Sequence, residues 1–411
     1  MCKKFTGKEY LMIDIASHFG LDNLPFKERI NWVVRQEQRD SLEYQELHAD
    51  DFFQYAAAVM AYREAQAGKP SGYMVSLDAI ASGPQLLSVL IGCKVGAANT
   101  GAAGQKRVDT YGIVADVMED LLGHSVECER ADIKYSFMPH FYGSEAEPKN
   151  LLGEESPEYA VFYQATDMVC PGANMLLPVI MGLWDDEALS YQFDFPDGGV
   201  VNCMVNRQVQ TKIEVDTIEG HPVFDYIHTV NEPIEFGEEG SKFLPSAITH
   251  GCDGYLVREL TARCDHDKGK LRSAQYELLR RLKRNIDITE AYLTCERSWR
   301  KHECISLVGT EYVNSWSVNQ MSKEYCEALL GLVNVVLKRP SFKVVSVHDC
   351  FKCLPNYMDW VRQTYIDILC ELADSRVLDA ILSDIAGYTI TVPKLSDDLS
   401  DLIKDAEYPI A

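Results

Sequence analysis

A chain of 411 residues with 46% apolar side chains has room for two or three domains and substantial cores, which excludes fibrous and wholly disordered architectures. Thirty-nine Lys and Arg face 62 Asp and Glu, a formal charge of -23, so overall charge excludes indiscriminate polyanion binding and a nucleic-acid partner requires a locally positive cleft. No apolar run reaches the roughly 18–20 residues of a membrane helix, Met1-Cys2-Lys3-Lys4 leads into polar sequence, and the thirteen scattered cysteines read as buried free thiols of a soluble, unexported chain.

Residues 26–67 carry helical patterning, through Phe26, Ile30, Val33 and Val34 and then the Ala-rich run from Phe53, until Gly68, Pro70 and Gly72 stop it. Tyr73-Met-Val-Ser-Leu77 predicts a short strand that delivers Asp78 at its C-terminal end, and a long periodic segment follows from Ser82. Gly96, Gly101 and Gly104 mark a loop. Helices are predicted over Tyr111–Leu122 and Cys128–Tyr142, with Pro139 bending the second or closing it early. Pro196-Asp-Gly-Gly199 and the β-branched stretch Val200–Val215 predict hairpins within 192–237. A mixed helical region spans about 262–335 and holds the basic run Arg280-Arg281-Leu-Lys283-Arg284. Lys343-Val-Val-Ser-Val347 predicts a buried strand leading to Asp349, and residues 393–411 read as an acidic, partly helical surface tail.

Asp78 and Asp349 each follow a short apolar strand, and they meet only if a large insertion separates two parts of one sheet. Two adjoining carboxylates there would clamp two Mg²⁺ ions, while the plainer reading makes them helix caps or strand-end turns. Arg130, Lys134, Met138 and Tyr142 recur at four-residue steps, each drifting about 40° around a helix, and so trace one slowly turning stripe. Arg through its fork and Lys as a point charge suit different oxygens of a triphosphate. The alternative is a solvated basic pair balanced by Glu127, Glu129 and Asp132, with the aromatic in the core. Cys350-Phe-Lys-Cys353 has Cys-x-x-Cys spacing but lacks the second ligand pair of a structural zinc site.

Four stretches resemble, in order, the catalytic half of the single-subunit RNA polymerases of T7-like phages and mitochondria, and most closely the two-subunit relatives of N4-like phages. Asp78-Ala-Ile-Ala-Ser82-Gly83-Pro-Gln85 is similar to the family's first carboxylate motif, and Arg130-x3-Lys134-x3-Met138-x3-Tyr142-Gly143 to its fingers helix. His250-Gly-Cys-Asp253-Gly254 resembles the His-x-x-Asp-Gly element, and His348-Asp349-Cys350-Phe351 the second carboxylate motif, with a thiol where the family has a hydroxyl. Gly20–Ile30 and Asp109–Ala115 also look like family segments.

The resemblance implies an α+β polymerase right hand, palm and fingers of the DNA polymerase A and T7 RNA polymerase type, lacking most of the N-terminal and thumb regions. Residues 1–108 would form the first part of the palm, 109–252 the fingers, and 253–411 the second part of the palm with an insertion at about 262–335. The implied activity is DNA-directed RNA synthesis, with Asp78, Asp349 and the backbone carbonyl of Ala79 holding two Mg²⁺ ions. Arg130 and Lys134 would bind the triphosphate, His348 would position the primer end, and Met138 and Tyr142 would lie under the incoming base pair. Related DNA polymerases block the 2′-hydroxyl with a glutamate where Gly83 stands here, so Gly83 would admit ribose, and His250 and Tyr142 would bond around it. The implied partners are a single-stranded or melted DNA template, the RNA product, ribonucleoside triphosphates, a phage DNA-binding accessory protein and no membrane. A smaller companion subunit is expected, because the segment before Asp78 is short for a promoter-binding domain and lacks the family's Asp-x-x-Gly-Arg element. The expected compartment is the cytoplasm of a host bacterium. Two competing readings are a noncatalytic scaffold subunit that binds nucleic acid and a related DNA polymerase; the retained carboxylates and basic pair argue against the first, Gly83 and His250 against the second.

Overall fold

The computed structural model describes residues 3–126, 128, 130–217, 220–238, 240–284, 286–288 and 290–411. The N-terminal helices α1 (Gly7–Ala16), α2 (Phe26–Gln38) and α3 (Phe52–Gln66) start where local chemistry dictates: Thr6 and Glu9 form a reciprocal capping box on α1, and Asp51 caps α3 through the Gln54 N–H. Strand β1 (Val75–Asp78) is pinned to α1 by the buried Asp14 carboxylate, which accepts from the Tyr73 hydroxyl (2.6 Å), the Ser76 N–H (2.9 Å) and the Ser76 hydroxyl (3.1 Å).

Helix α4 (Ser82–Ile91) is buried along its whole length. It leads into α5 (Lys94–Asn99), so Gly96 lies inside a helix and not in the expected loop; glycine stands there for close packing, since a Cβ would be 2.2 Å from Ser88 Oγ. Helices α6 (Thr110–Leu122), α7 (Arg130–Phe141), α8 (Ala146–Leu152), α9 (Pro157–Val169) and α10 (Pro171–Met181) follow. Pro139 falls in the last turn of α7, which closes within three residues as the Tyr142 N–H bonds the Pro139 carbonyl (3.0 Å). The predicted hairpins are two antiparallel pairs, β2 (Ser190–Asp194) with β3 (Val200–Met204), and the largely exposed ribbon β4 (Asn206–Glu214) with β5 (Val223–Asn231).

The long helix α11 (Leu244–Cys264) returns the chain to the core. Helices α12 (Lys268–Leu282), α13 (Thr294–His302) and α14 (Lys323–Leu337) then build a module around two small apolar clusters of their own, one with Leu278, Tyr325 and Leu329, the other with Leu271, Val333 and Val336. The hairpin β6 (Val344–Val347) and β7 (Cys350–Cys353) joins β1 in a sheet ordered β1-β7-β6, followed by α15 (Met358–Asp374), α16 (Val377–Ala386) and α17 (Leu399–Lys404). Among the described residues no helix is long and apolar enough to cross a membrane.

Two expectations change. The Val344–Val347 segment is the sheet's edge, with Val345 and Val347 exposed, because β7 takes the central place. Residues 403–410 do not form a surface tail: Ile403, Ala406, Tyr408 and Ile410 are buried, the Tyr408 ring packs on Phe26, and the Ala411 N–H donates to the Asp78 carbonyl at 2.8 Å.

Candidate active site

Antiparallel pairing of β1 with β7 sets Asp78 opposite Cys350, the residue after Asp349. Asp349 occupies the two-residue turn between β6 and β7, preceded by His348 at φ 54. A positive φ at the first turn position matches the twist of the flanking strands, and a non-glycine residue that adopts it is strained. The pairing therefore brings the two carboxylates near enough to influence one another electrostatically, and Asp349 sits in a hairpin turn and not at a strand end.

Burial and the neighbouring Asp349 charge push the Asp78 carboxyl up to about 7, against the opposing influence of the Ala79 backbone N–H and Lys134. Asp78 keeps access to solvent although protein crowds around it. A third carboxylate joins them. Asp253 is likewise pushed up to about 7 by burial and by Asp349, with a smaller push from Asp78, and accepts from the Ser82 hydroxyl at 3.4 Å. Its sequence signal was its place three residues after His250, which puts both on one face of α11.

The basic stripe of α7 is only partly free for a ligand. Arg130 forks onto Asp109 through Nε (2.8 Å) and Nη2 (2.7 Å), and Nη2 also reaches Asn23 Oδ1 (3.1 Å). Burial alone would push the Asp109 carboxyl up, yet the Arg130 fork holds it below its ordinary range. Arg130 and Lys134 both lie over the Tyr111 ring, at 5.3 and 5.8 Å from its centroid, and the Tyr111 hydroxyl donates to the Ile80 carbonyl at 3.0 Å. Tyr111 thus ties the stripe to the segment that follows Asp78. Of the carboxylates set against this basic pair, Glu127 and Glu129 lie outside the described residues.

Tyr142 packs on His250, with ring centroids 5.0 Å apart, and covers Gly83, where a Cβ would meet Tyr142 Cε1 at 3.1 Å and Thr249 Cγ2 at 3.2 Å. The space expected at Gly83 is thus filled by the phenol ring in this structure. Burial first, then the charges of Asp253 and Asp349, push the Tyr142 hydroxyl up to about 12. Gly143 completes the motif for a backbone reason: φ is +87°, and a Cβ would stand 2.7 Å from the Lys242 carbonyl. Met138 is half-buried beside the core, whereas Lys134, His250 and His348 are exposed.

Gln85 of the first motif is structural. Fully buried, it donates to the Thr100 and Pro409 carbonyls and accepts from the Tyr365 hydroxyl at 2.7 Å. Cys350 and Cys353 fall on opposite faces of β7, an arrangement that cannot grip one ion, since strand side chains alternate. No group of three or more His, Cys, Asp or Glu among the described residues forms a ready metal cage. The donor set nevertheless suits hard divalent cations: oxygen ligands that crowd one another until two of them resist ionisation gain most from added positive charge.

Residues 4–138 match the family model of DNA-dependent RNA polymerase. The matched segment carries Asp78, Gly83, Arg130, Lys134 and Met138, and relates this N-terminal portion broadly to RNA polymerases. The mixed α and β architecture with small open sheets accords with a polymerase-type fold. No curated protein matches the chain.

Proposed function

We propose that the chain is the catalytic subunit of a DNA-directed RNA polymerase of the T7-like and N4-like type, joining ribonucleotides to an RNA 3′-end on a single-stranded or melted DNA template. The observation that carries the reading is the pairing of β1 with β7, which brings Asp78 to Asp349 with Asp253 and Lys134 beside them. Residues 1–108 and 253–411 would then be palm, 109–252 fingers, and a smaller companion subunit would supply N-terminal elements.

Asp78, Asp349 and the Ala79 carbonyl would hold two Mg²⁺ ions. Bound there, the ions acidify the attacking 3′-hydroxyl and balance charge on the phosphates. Lys134 reaches toward the same cleft and neutralises triphosphate oxygens, while the Asp109-held Arg130 offers its remaining Nη1 edge to another. Attack of the 3′-oxygen on the α-phosphorus forms the new P–O bond and breaks the bond to pyrophosphate, with the hydroxyl proton passing to solvent and Lys134 beside the charge of the leaving group. His348 positions the primer end, and Met138 with Tyr142 forms the surface under the incoming base pair. Tyr142 and His250, in mutual contact beside Gly83, read the ribose 2′-hydroxyl.

Primer extension on a melted template with Mg²⁺, comparing ribo- with deoxyribonucleotides and with or without the companion subunit, tests the reading. Ribonucleotide addition that disappears in Asp349→Asn is expected. Addition that survives that substitution, or none under any pairing, overturns it.

A further inference from the structure

The module between α11 and β6 carries charge opposite to that of the chain as a whole. Over residues 268–284 seven Lys and Arg stand against one acidic residue, Glu277, within a protein of net charge -23. Part of the basic character seen in the sequence is internal. Arg281 is buried and donates to the Met321 and Ile286 carbonyls, Trp299 packs on Tyr325, and Lys301 is paired with Asp194 (2.5 Å) and Asp384 (2.6 Å). Those residues hold the module together and onto β2 and α16.

What remains outside is ordered. Lys268, Arg272, Tyr276, Arg280 and Arg284 follow one another at four-residue steps along α12 and just past its end, about 6 Å per step, and the roughly 40° drift of each step makes them a slowly turning stripe of cations with one aromatic ring at its middle. Tyr276 is 65% exposed. Among the described residues, Lys268, Arg272 and Arg284 form no ion pair on this face, and Arg280 pairs with Glu277.

At the far end stands Trp316, 70% exposed on a loop that is nonetheless fixed. Asn314 Oδ1 accepts from the Trp316 and Ser317 N–H groups, both at 3.0 Å. Arg280 Nη2 donates to the Ser315 carbonyl (3.1 Å), and Arg284 Nη1 to Asn319 Oδ1 (2.7 Å). The two guanidinium groups of the stripe therefore staple the loop that displays the indole. A large aromatic displayed to water on a backbone held in this way has no packing role in the chain.

We propose that this face of α12, with Trp316, binds single-stranded polynucleotide. The backbone phosphates run along the cations and bases stack on Tyr276 and Trp316, a mode tolerant of sequence because every base has a π-face. An acidic protein would use the cations and leave both aromatic faces without a partner. Asp253 lies in the middle of α11, about 16 Å by rise per residue from that helix's C-terminal end, and the stripe stands on the next helix, α12, so it is separate from the candidate active site and independent of the catalytic reading.

Fluorescence anisotropy of a labelled 20-nucleotide oligo(dT) with the full chain, across a salt series, tests the proposal. Trp316→Ala and Tyr276→Ala are each expected to weaken binding about tenfold, with Trp316→Phe retaining most of it. Replacing Lys268 and Arg272 with Gln, which leaves both staples intact, is expected to flatten the slope of log K against log salt by about 1.4 for two lost phosphate contacts. Thermal melts report whether each variant is folded. Binding within twofold of the parent in both aromatic variants, or binding lost only in Lys134→Ala, overturns the proposal. Displacement of oligo(dT) by polyglutamate of equal charge, with the aromatic variants unaffected, also overturns it in favour of an acidic protein partner. A chain that adds no ribonucleotides yet binds oligo(dT) through Trp316 would sink the catalytic reading and leave this one standing.

Discussion

The ring of Tyr142 lies over Gly83 so closely that a methyl group in place of the glycine hydrogen would stand 3.1 Å from the ring edge, with Thr249 at 3.2 Å on the other side. Gly83→Ala must therefore displace Tyr142 by a few tenths of an ångström. We expect the substitution to cost about 1 kcal/mol of stability, from overpacking, and to lower the ratio of ribo- to deoxyribonucleotide kcat/KM. Tyr142→Phe keeps the ring and removes the hydroxyl, so it should lower that ratio with the melting temperature nearly unchanged. An unchanged ratio in both variants would remove Tyr142 from sugar recognition.

The acidic cluster predicts a pH dependence of definite sign. Asp78 and Asp253 have folded pKa values raised to about 7, so the folded protein binds their protons more tightly than the unfolded chain does. Their contribution to stability is fully present below the unfolded value near 4 and is lost as pH rises through about 7. Without divalent cations, Asp253→Asn should raise the melting temperature at pH 8 by about 2 °C and change it little at pH 4. Mg²⁺ should raise the parent's melting temperature at pH 8, and by less in Asp349→Asn. An Asp253→Asn variant destabilised equally at both pH values would contradict the electrostatic account.

Arg130 is held by Asp109 in a two-pronged bond between partly exposed side chains, which limits the pair's worth to about 1 kcal/mol or less. Asp109→Ala should hardly move stability yet free the guanidinium from its aim, raising the KM for nucleoside triphosphate severalfold while kcat changes little. Arg130→Lys, which cannot form the fork, should behave similarly, and the double variant should add little to either. Strict additivity of the KM effects would show that the two residues act separately.

Buried Asp14 holds β1 through three hydrogen bonds from Tyr73 and Ser76. Asp14→Ala leaves those donors unmatched and should cost about 3 kcal/mol in urea unfolding. Asp14→Asn, which keeps one acceptor oxygen, should recover part of it. A cost below about 1 kcal/mol in the alanine variant would show that water replaces the carboxylate.

Local chemistry made much of the candidate site readable in advance. Alternation and the turn residues around 68–72 placed a strand ending at Asp78, the four-residue steps from Arg130 to Tyr142 placed one face of a helix, and Pro196-Asp-Gly-Gly199 placed a hairpin. Each of these depends on neighbours within a turn or two of chain. Position 96 and the C-terminal end are decided by packing partners that local pattern does not show: Gly96 makes room for the Ser88 side chain of the preceding helix, and the apolar residues that alternate with acids over 403–410 pack against distant parts of the chain such as Phe26.

The sequence by itself determined which side chains the candidate site has at its disposal and the helix or strand beside which most of them stand. Only the tertiary structure decided that β1 pairs with β7 so that Asp78 meets Asp349, that α11 adds Asp253, that Asp109 takes hold of Arg130, and that the cations of α12 frame Trp316. Periodicity and turn chemistry act over a few residues and are written in the order of the chain. The energies that crowd three carboxylates beside one another, or staple the loop that bears Trp316 to two guanidinium groups, depend on distance in space, which chain order does not record.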